Sequence, residues 1–327
     1  MFCADLIKME VKEILSSSVI IAMYNGEKYI YQQLDSIRNQ HRMPDQVVIC
    51  DDHSLDDSSH ITQTYINEHN LNNHWSLIVN NKNLGYIKNF YLLMSKCNSD
   101  IIFLSDQDDV WTEDKIQKMM SVFEARPDIS MLCCKYSIID EQGQPMHGIL
   151  VDKQRNSGSL DVVHFEDILL KYRWPGMTMG IRKTFIDEVL PSINCVNVPH
   201  DFILSLIAAD RQLFWEIDFT GVYHRRHGNN AAHEEHRILK NLNYNKKLND
   251  LSIYNEMLAS ILNNNVPLSV ESHNQVKRKL SISEERGCAL KKRSIASVLK
   301  LYFTHRSTLR FYSFLCDMWL VLFGGYQ

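Results

Sequence analysis

Three carboxylates, Asp106, Asp108 and Asp109, fall within four residues, directly after the apolar run Ile101 to Leu104. Neighbouring anions repel, and each loses hydration on leaving water. Placed at a strand end, such a cluster needs a compensating cation. Oxygen-only ligands suit Mg2+ or Mn2+, ions that keep some water and fill the rest of their shell with substrate phosphates. The turn therefore points to a divalent metal gripping a diphosphate. A purely local reading is also open: Thr112, Glu113 and Asp114 make a good helix start, and the acidic turn would cap it.

Three other stretches carry groups of comparable chemistry. Asp51 and Asp52 follow the apolar run Val47 to Cys50. They suit hydrogen bonds from a base N–H or from ribose hydroxyls, or else form an Asx-turn with a helix cap. Asp201 follows Pro199-His200 and heads an apolar helical stretch, where it is either an N-cap or a lone carboxylate available as a base. His224, Arg225, Arg226 and His227 make a basic loop ending in Gly228, Asn229 and Asn230, a solvated turn or a loop suited to phosphate.

Elements that could position these groups are legible. Ser18 to Met23, Gln46 to Cys50, Trp75 to Val79 and Ile101 to Leu104 read as strands; the runs around 27–40, 58–66, 86–97 and 112–124 read as helices. Strand and helix alternate, which predicts an α/β layer fold with a mostly parallel sheet. Ligands of open α/β sheets bind beyond the carboxyl ends of strands. Tyr24, Asp51, Asp52, Asp106, Asp108 and Asp109 are thus expected along one crevice. The first turn, Tyr24-Asn25-Gly26-Glu27, holds one glycine, which argues against a dinucleotide fingerprint and a P-loop. A nucleotide here would depend on metal for its diphosphate.

The 327 residues allow about two domains, and 45% hydrophobic with 23% charged residues is ordinary for a globular chain. None of the eight cysteines forms a C-x-x-C pair, so buried thiols of a reducing cytosol are expected rather than disulfides or zinc. No apolar signal segment or confident transmembrane run is expected.

Taken in order, VIIAMYNGEKYI, VVICDDHSLDDS, NKNLGYIKNF, FLSDQDDVW, WPGMTMGIRK, PHDFILSL and YHRRHGNN resemble an inverting family-2 glycosyltransferase of GT-A fold. The resemblance covers roughly residues 18 to 235, and NLGYIKNFYLLM, FLSDQDDVW and PHDF look most like the rhamnosyltransferases of bacterial cell-surface polysaccharide synthesis. It implies that Ala22, Tyr24 and Asp51 or Asp52 meet the nucleotide base. Asp106 and Asp108 match its acidic D-x-D pair, for donor sugar and ribose, with Asp108 or Asp109 as metal ligand. Asp201 matches the general base. His227 would close over the diphosphate as ligand or donor, or be merely structural. Trp174 to Gly180, with Trp174 and Gly176 foremost, would floor the acceptor side. The implied partners are a nucleotide-sugar donor, best dTDP-rhamnose and otherwise a UDP-hexose, and a lipid-linked glycan acceptor at the cytoplasmic face of the inner membrane. A metal-dependent nucleotidyltransferase and a non-catalytic scaffold are the other classes considered.

Residues 1–17 read as an N-terminal extension and 236–327 as a helical C-terminal one. From Lys277 onward basic residues gather, and the chain ends in an aromatic-rich apolar stretch, Leu309 to Phe323. That pairing suits an anionic membrane surface, or else a helix packed on the catalytic domain. Nucleic acid is not expected, because no nucleic-acid motif accompanies the basic residues.

Overall fold

The computed structural model describes residues 14–146, 155–170, 172–228, 243–306 and 308–324. Most of the expected N-terminal extension, part of the polar segment 152–159, and Asn229 and Asn230 of the basic loop lie outside the described residues.

The chain opens with β1 (Ser17–Met23), α1 (Ile30–Arg38), β2 (Gln46–Asp51), α2 (Ser58–Glu68), β3 (Trp75–Val79), α3 (Tyr86–Lys96) and β4 (Ile101–Asp106). It continues with β5 (Val110–Trp111), α4 (Lys115–Ala125), β6 (Met131–Ile139), β7 (Leu160–Val162) and α5 (Phe165–Leu170). A 3-10 turn at Gly176–Thr178 leads into β8 (Met179–Arg182), α6 (Lys183–Ile193), α7 (His200–Asp210) and β9 (Phe214–Arg225). Four helices follow: α8 (Tyr244–Asn263), α9 (Val270–Lys291), α10 (Ile295–Thr304) and α11 (Phe311–Phe323).

The strands form one sheet in the order β3-β2-β1-β4-β8-β6-β9-β5, with β7 also on β9. β3, β2, β1 and β4 run parallel, as do β6 and β9; β8, β5 and β7 pair antiparallel with their neighbours. The sheet is therefore mixed, a refinement of the mostly parallel expectation. The two-residue β5 is too short to leave a periodic signal, and it delays the next helix from the expected Thr112 to Lys115.

Apolar runs without alternation mean strands covered on both faces. Side chains point alternately up and down, so each run feeds two cores. Ile20, Ile102 and Leu104 join the core under α3, α6 and α7, while Val19, Ile21, Ile101 and Phe103 join the one under α1, α2 and α4. α7 is apolar on all sides, with Phe202 through Ala209 buried, as a helix enclosed within a core must be.

The C-terminal helices divide in two. Leu258, Ile261, Val266 and Val276 of the α8–α9 hairpin belong to the first core. Tyr254 donates to the Leu169 carbonyl at 3.1 Å, and Ser269 and Ser272 donate to Asp210. α10 and α11 lean on α9 instead, where Arg286 grips Asp317 with bonds of 2.6 and 2.8 Å. Among the described residues no helix is long and apolar enough to cross a membrane.

Candidate active site

Strand register assembles the crevice. Ala22 of β1 lies beside Asp106 of β4 and beside Cys50 of β2, and Met23 lies beside Asp51. Ala22 and Asp106 share the parity of Ile20, Ile102 and Leu104, so both open toward the face that α7 covers. Tyr24, 43% exposed, stands at the rim just beyond β1.

Asp51 and Asp52 are both buried, and their carboxylates shape loops. Asp51 has the opposite parity and turns toward α2, accepting from the Ser54 N–H at 2.8 Å and from the Ser59 hydroxyl. Asp52 accepts from Asn80 Nδ2, Leu84 N and Gly85 N, each at 2.8 Å, and so pins the polar loop before α3. The Asx-turn reading and the nucleotide reading are thus compatible: a carboxylate has about four lone-pair sites, enough for a loop and a ligand.

Gln107, in the middle of the acidic turn, is a residue that sequence reasoning passed over. Its amide accepts from Tyr24 N at 2.8 Å and donates to Tyr24 O at 2.9 Å, fastening the turn after β1 to the turn after β4. A Cβ on Gly26 would sit 2.4 Å from Gln107 Oε1, so the glycine of the first turn makes room for this clasp.

Beyond Gln107, each carboxylate meets a histidine from the end of β9. Asp108 Oδ2 lies 2.7 Å from His227 Nε2, and the His227 ring packs 4.7 Å from that of Tyr29. Asp109 is fully buried; its Oδ1 meets His224 Nδ1 at 2.9 Å and accepts from Arg225 N at 3.1 Å. Burial opposes charge on His224, but the Asp109 carboxylate beside it wins and lifts its pKa to about 9. Among the described residues Asp106 has no histidine partner; burial, then the charges of Asp109 and Asp108, hold it well above the usual carboxylate range.

Arg225 is 1% exposed and does not face the crevice as a phosphate-binding cation. Its guanidinium donates to the carbonyls of Asp108, Asp140 and Glu141 and to Gln32 Oε1, at 2.9, 3.3, 3.1 and 2.6 Å. It ties the acidic turn, the β6 hairpin and α1 together. The sequence showed a run of cations but not which one points inward.

Lys115 was likewise not singled out. It is fully buried, its ammonium 3.2 Å above the Trp111 ring and donating to the Met177 carbonyl at 2.7 Å. Burial pushes it down to about 7, against the pull of Cys134, Asp109 and Asp106. It joins the acidic turn to the 3-10 turn at Gly176–Thr178.

That second turn meets Asp201 at the head of α7. Asp201 Oδ2 accepts from Gly176 N at 3.2 Å and Oδ1 from Phe202 N at 2.8 Å, rather than capping the helix from its N-cap position, which Pro199 occupies. A Cβ on Gly176 would lie between Asp201 and Leu104, 3.6 Å from Asp201 Cβ and 3.7 Å from Leu104 Cδ1, which puts the base candidate beside the strand that ends in Asp106. The same Cβ would lie 3.1 Å from His200 Nε2. His200 itself is buried, stacks on Phe90 at 4.0 Å and is held below the ordinary histidine range by burial. Trp174 stands behind this floor: it is 3% exposed and donates Nε1 to Glu216 at 2.7 Å. Gly176 is the part of the segment that reaches the base.

The residues present suit a divalent ion. Asp109 Oδ2 is buried and has no hydrogen-bond partner among the described residues, an oxygen that a neighbouring cation would relieve. Asp108 and His227 already lie within bonding reach of each other on the same wall. Among the described residues no three His, Cys, Asp or Glu side chains surround one point. Donor phosphates and water would have to complete the shell, as is usual for Mg2+ and Mn2+.

The fold is that of the GT-A transferases, and the profile of glycosyl transferase family 2 matches residues 18–188. The chain belongs to that family. Among its relatives, dTDP-rhamnosyl transferase RfbG of Shigella flexneri is 31% identical over 227 residues, 65% of this chain and 73% of that one. Chondroitin synthase of Escherichia coli is 31% identical over 123 residues, 38% of this chain and 17% of that one. Among solved structures, S. aureus TarS 1-349 in complex with UDP superposes with a TM-score of 0.56 at 16% identity, covering 89% of this chain and 77% of that one. A Pyrobaculum calidifontis mannosyltransferase in complex with GDP-Man and Mn2+ gives 0.51 at 12% identity, over 96% and 88%.

Proposed function

We propose that this glycosyltransferase moves L-rhamnose from dTDP-rhamnose, with inversion, onto a lipid-linked glycan acceptor of a cell-surface polysaccharide such as an O-antigen or capsule. It would work at the cytoplasmic face of the inner membrane. The observation that carries the mechanism is Asp201, a carboxylate apart from the acidic turn yet bonded to Gly176, where a Cβ would lie 3.7 Å from Leu104, two residues ahead of Asp106. Inversion needs two separate acidic functions. One wall holds the departing diphosphate; opposite it, a base takes the proton of the attacking hydroxyl.

Asp201 supplies the second. Each of its oxygens accepts one backbone N–H, from Phe202 and from Gly176, which fixes the carboxylate while leaving lone pairs for the acceptor hydroxyl. As the hydroxyl oxygen bonds the anomeric carbon, its proton passes to Asp201 and the bond to the diphosphate breaks. Such positioned bases contribute about 10²–10⁴ in rate. Ala22, Tyr24, Asp51 and Asp52 line the base and ribose end, and Asp106 the donor sugar. A divalent metal, Mg2+ or Mn2+, would be held by Asp108 and His227 with Asp109 behind them, and would supply charge stabilisation to the leaving diphosphate. Trp174 and Gly176 shape the acceptor side. The choice of rhamnose is supported by the Shigella flexneri relative.

A donor screen tests the reading. The purified chain with Mn2+ and acceptor-bearing membranes should release dTDP from dTDP-rhamnose. Release of UDP from UDP-glucose or UDP-galactose, with none of dTDP, would replace the donor. Pyrophosphate release would replace the reaction class.

A further inference from the structure

α11 has no polar outer face. Phe311, Tyr312, Leu315, Trp319, Leu322 and Phe323 are each 41–59% exposed and recur at helical spacing on one side, opposite the buried Asp317 and Leu320. Phe303, at the end of α10, extends the patch at 68% exposed. A surface helix of a globular protein ordinarily puts charge on its outer side, and a contiguous exposed apolar face marks an interaction site.

The rim of this face says what covers it. Residues 277–324 hold ten Lys and Arg against three carboxylates: Glu284 and Glu285 on α9, the latter 3.6 Å from His305, and Asp317, which is buried and already bonded to Arg286. Lys300 within α10, Arg306 just after it and Arg310 at the head of α11 are exposed. On the inner side, Lys247 and Lys279 are half-buried near Arg286, whose charge acts on both. A second copy of the chain would bring this same excess of cations against itself in a two-fold contact. An anionic bilayer offers hydrocarbon for the aromatic ridge and negative headgroups for the cations around it.

We infer that the outer face of α10 and α11 is a docking surface for an anionic phospholipid bilayer, lying in the interface with Trp319 and Phe323 inserted and Lys300, Arg306 and Arg310 at the headgroups. α8 and α9, fixed to the catalytic core, then form a rigid bracket between the bilayer and the α7 side of the sheet. The inference sharpens the membrane setting of the proposed reaction but is read out by binding, so it stands or falls apart from the donor and the base.

Co-sedimentation of the full chain with vesicles tests it, using phosphatidylcholine alone and phosphatidylcholine mixed with phosphatidylglycerol. The chain should bind the mixed vesicles, weakly bind the neutral ones, and be released by salt. Lys300→Glu and Arg310→Glu should each lower the partition coefficient roughly five-fold or more. Leu315→Ser with Trp319→Ser should lower it roughly ten-fold or more even at low salt. An unchanged circular dichroism spectrum and thermal midpoint show that each variant folds; if the paired serine variant does not, the charge reversals on exposed positions still decide. Failure of the wild-type chain to bind mixed vesicles overturns the inference. So does binding that the reversals leave unchanged. A concentration-dependent dimer abolished by Leu315→Ser, without vesicle binding, would assign the face to a second copy instead.

Discussion

Replacing Arg225 by alanine would separate a structural guanidinium from a phosphate-binding one. The side chain is 1% exposed, and its removal orphans the carbonyls of Asp108, Asp140 and Glu141 and the Gln32 amide oxygen. A buried acceptor left without its donor costs roughly 1–3 kcal/mol, and bonds from a charged donor lie at the upper end. The four losses share one side chain and are not additive, and water will enter beside the partly exposed hairpin. The expected destabilisation is about 3–5 kcal/mol. With a urea slope of ~3 kcal/mol/M, the unfolding midpoint should fall by roughly 1–1.7 M. Arg225→Lys should recover little, because one ammonium cannot span acceptors on three elements. Tryptophan fluorescence in urea is the assay. A midpoint within roughly 0.2 M of wild type, together with a tenfold rise in donor KM, would refute the reasoning and make Arg225 a diphosphate contact.

The remaining predictions concern the crevice. His224 has its pKa raised to about 9 in the folded chain, above the ordinary value of 6.5. Its stabilisation is therefore complete below about pH 6.5 and lost as pH rises through about 9, on the order of 1–3 kcal/mol. Lys115, depressed to about 7, slopes the opposite way over part of that window. The histidine term should hence be read as the difference between wild type and His224→Gln in metal-free buffer; a difference independent of pH would dismiss the Asp109 pairing. Chelation should abolish transfer and Mn2+ or Mg2+ restore it, with Asp108→Ala unrescued; full activity in EDTA would rule the metal out. Gly176→Ala places a Cβ 3.1 Å from His200 Nε2 and next to Asp201. It should cut kcat about tenfold with donor KM nearly constant; unchanged kcat would show that the turn does not hold the base.

Much of this architecture is legible in the sequence because β1, β2 and β4 are buried on both faces and end in polar residues. Strand ends and their acidic turns follow from that pattern alone. What a linear reading cannot supply is direction. Asp51 and Asp52 look equivalent in the chain, yet strand parity sends the first to α2 while the second pins the loop before α3. Arg225 stands in a run of cations, and only the β6–β9 pairing turns it inward. β8 is four residues long and antiparallel, shorter than any periodic signal. In the tail, α8 and α9 pack on the catalytic core, whereas the aromatic stretch forms a helix that leans on α9 and has an outer face that is exposed among the described residues.

The proposed role of Asp201 is to take the acceptor proton. It is tested by Asp201→Asn, an isosteric change that removes the basic carboxylate and keeps one of the two oxygens that accept from Gly176 N and Phe202 N. The donor dissociation constant should stay close to wild type and the thermal midpoint fall by only a few degrees for the one lost backbone bond, while single-turnover sugar transfer falls by about 10²–10⁴. Transfer by Asp201→Asn within a few-fold of wild type, at equal donor occupancy, would contradict the account.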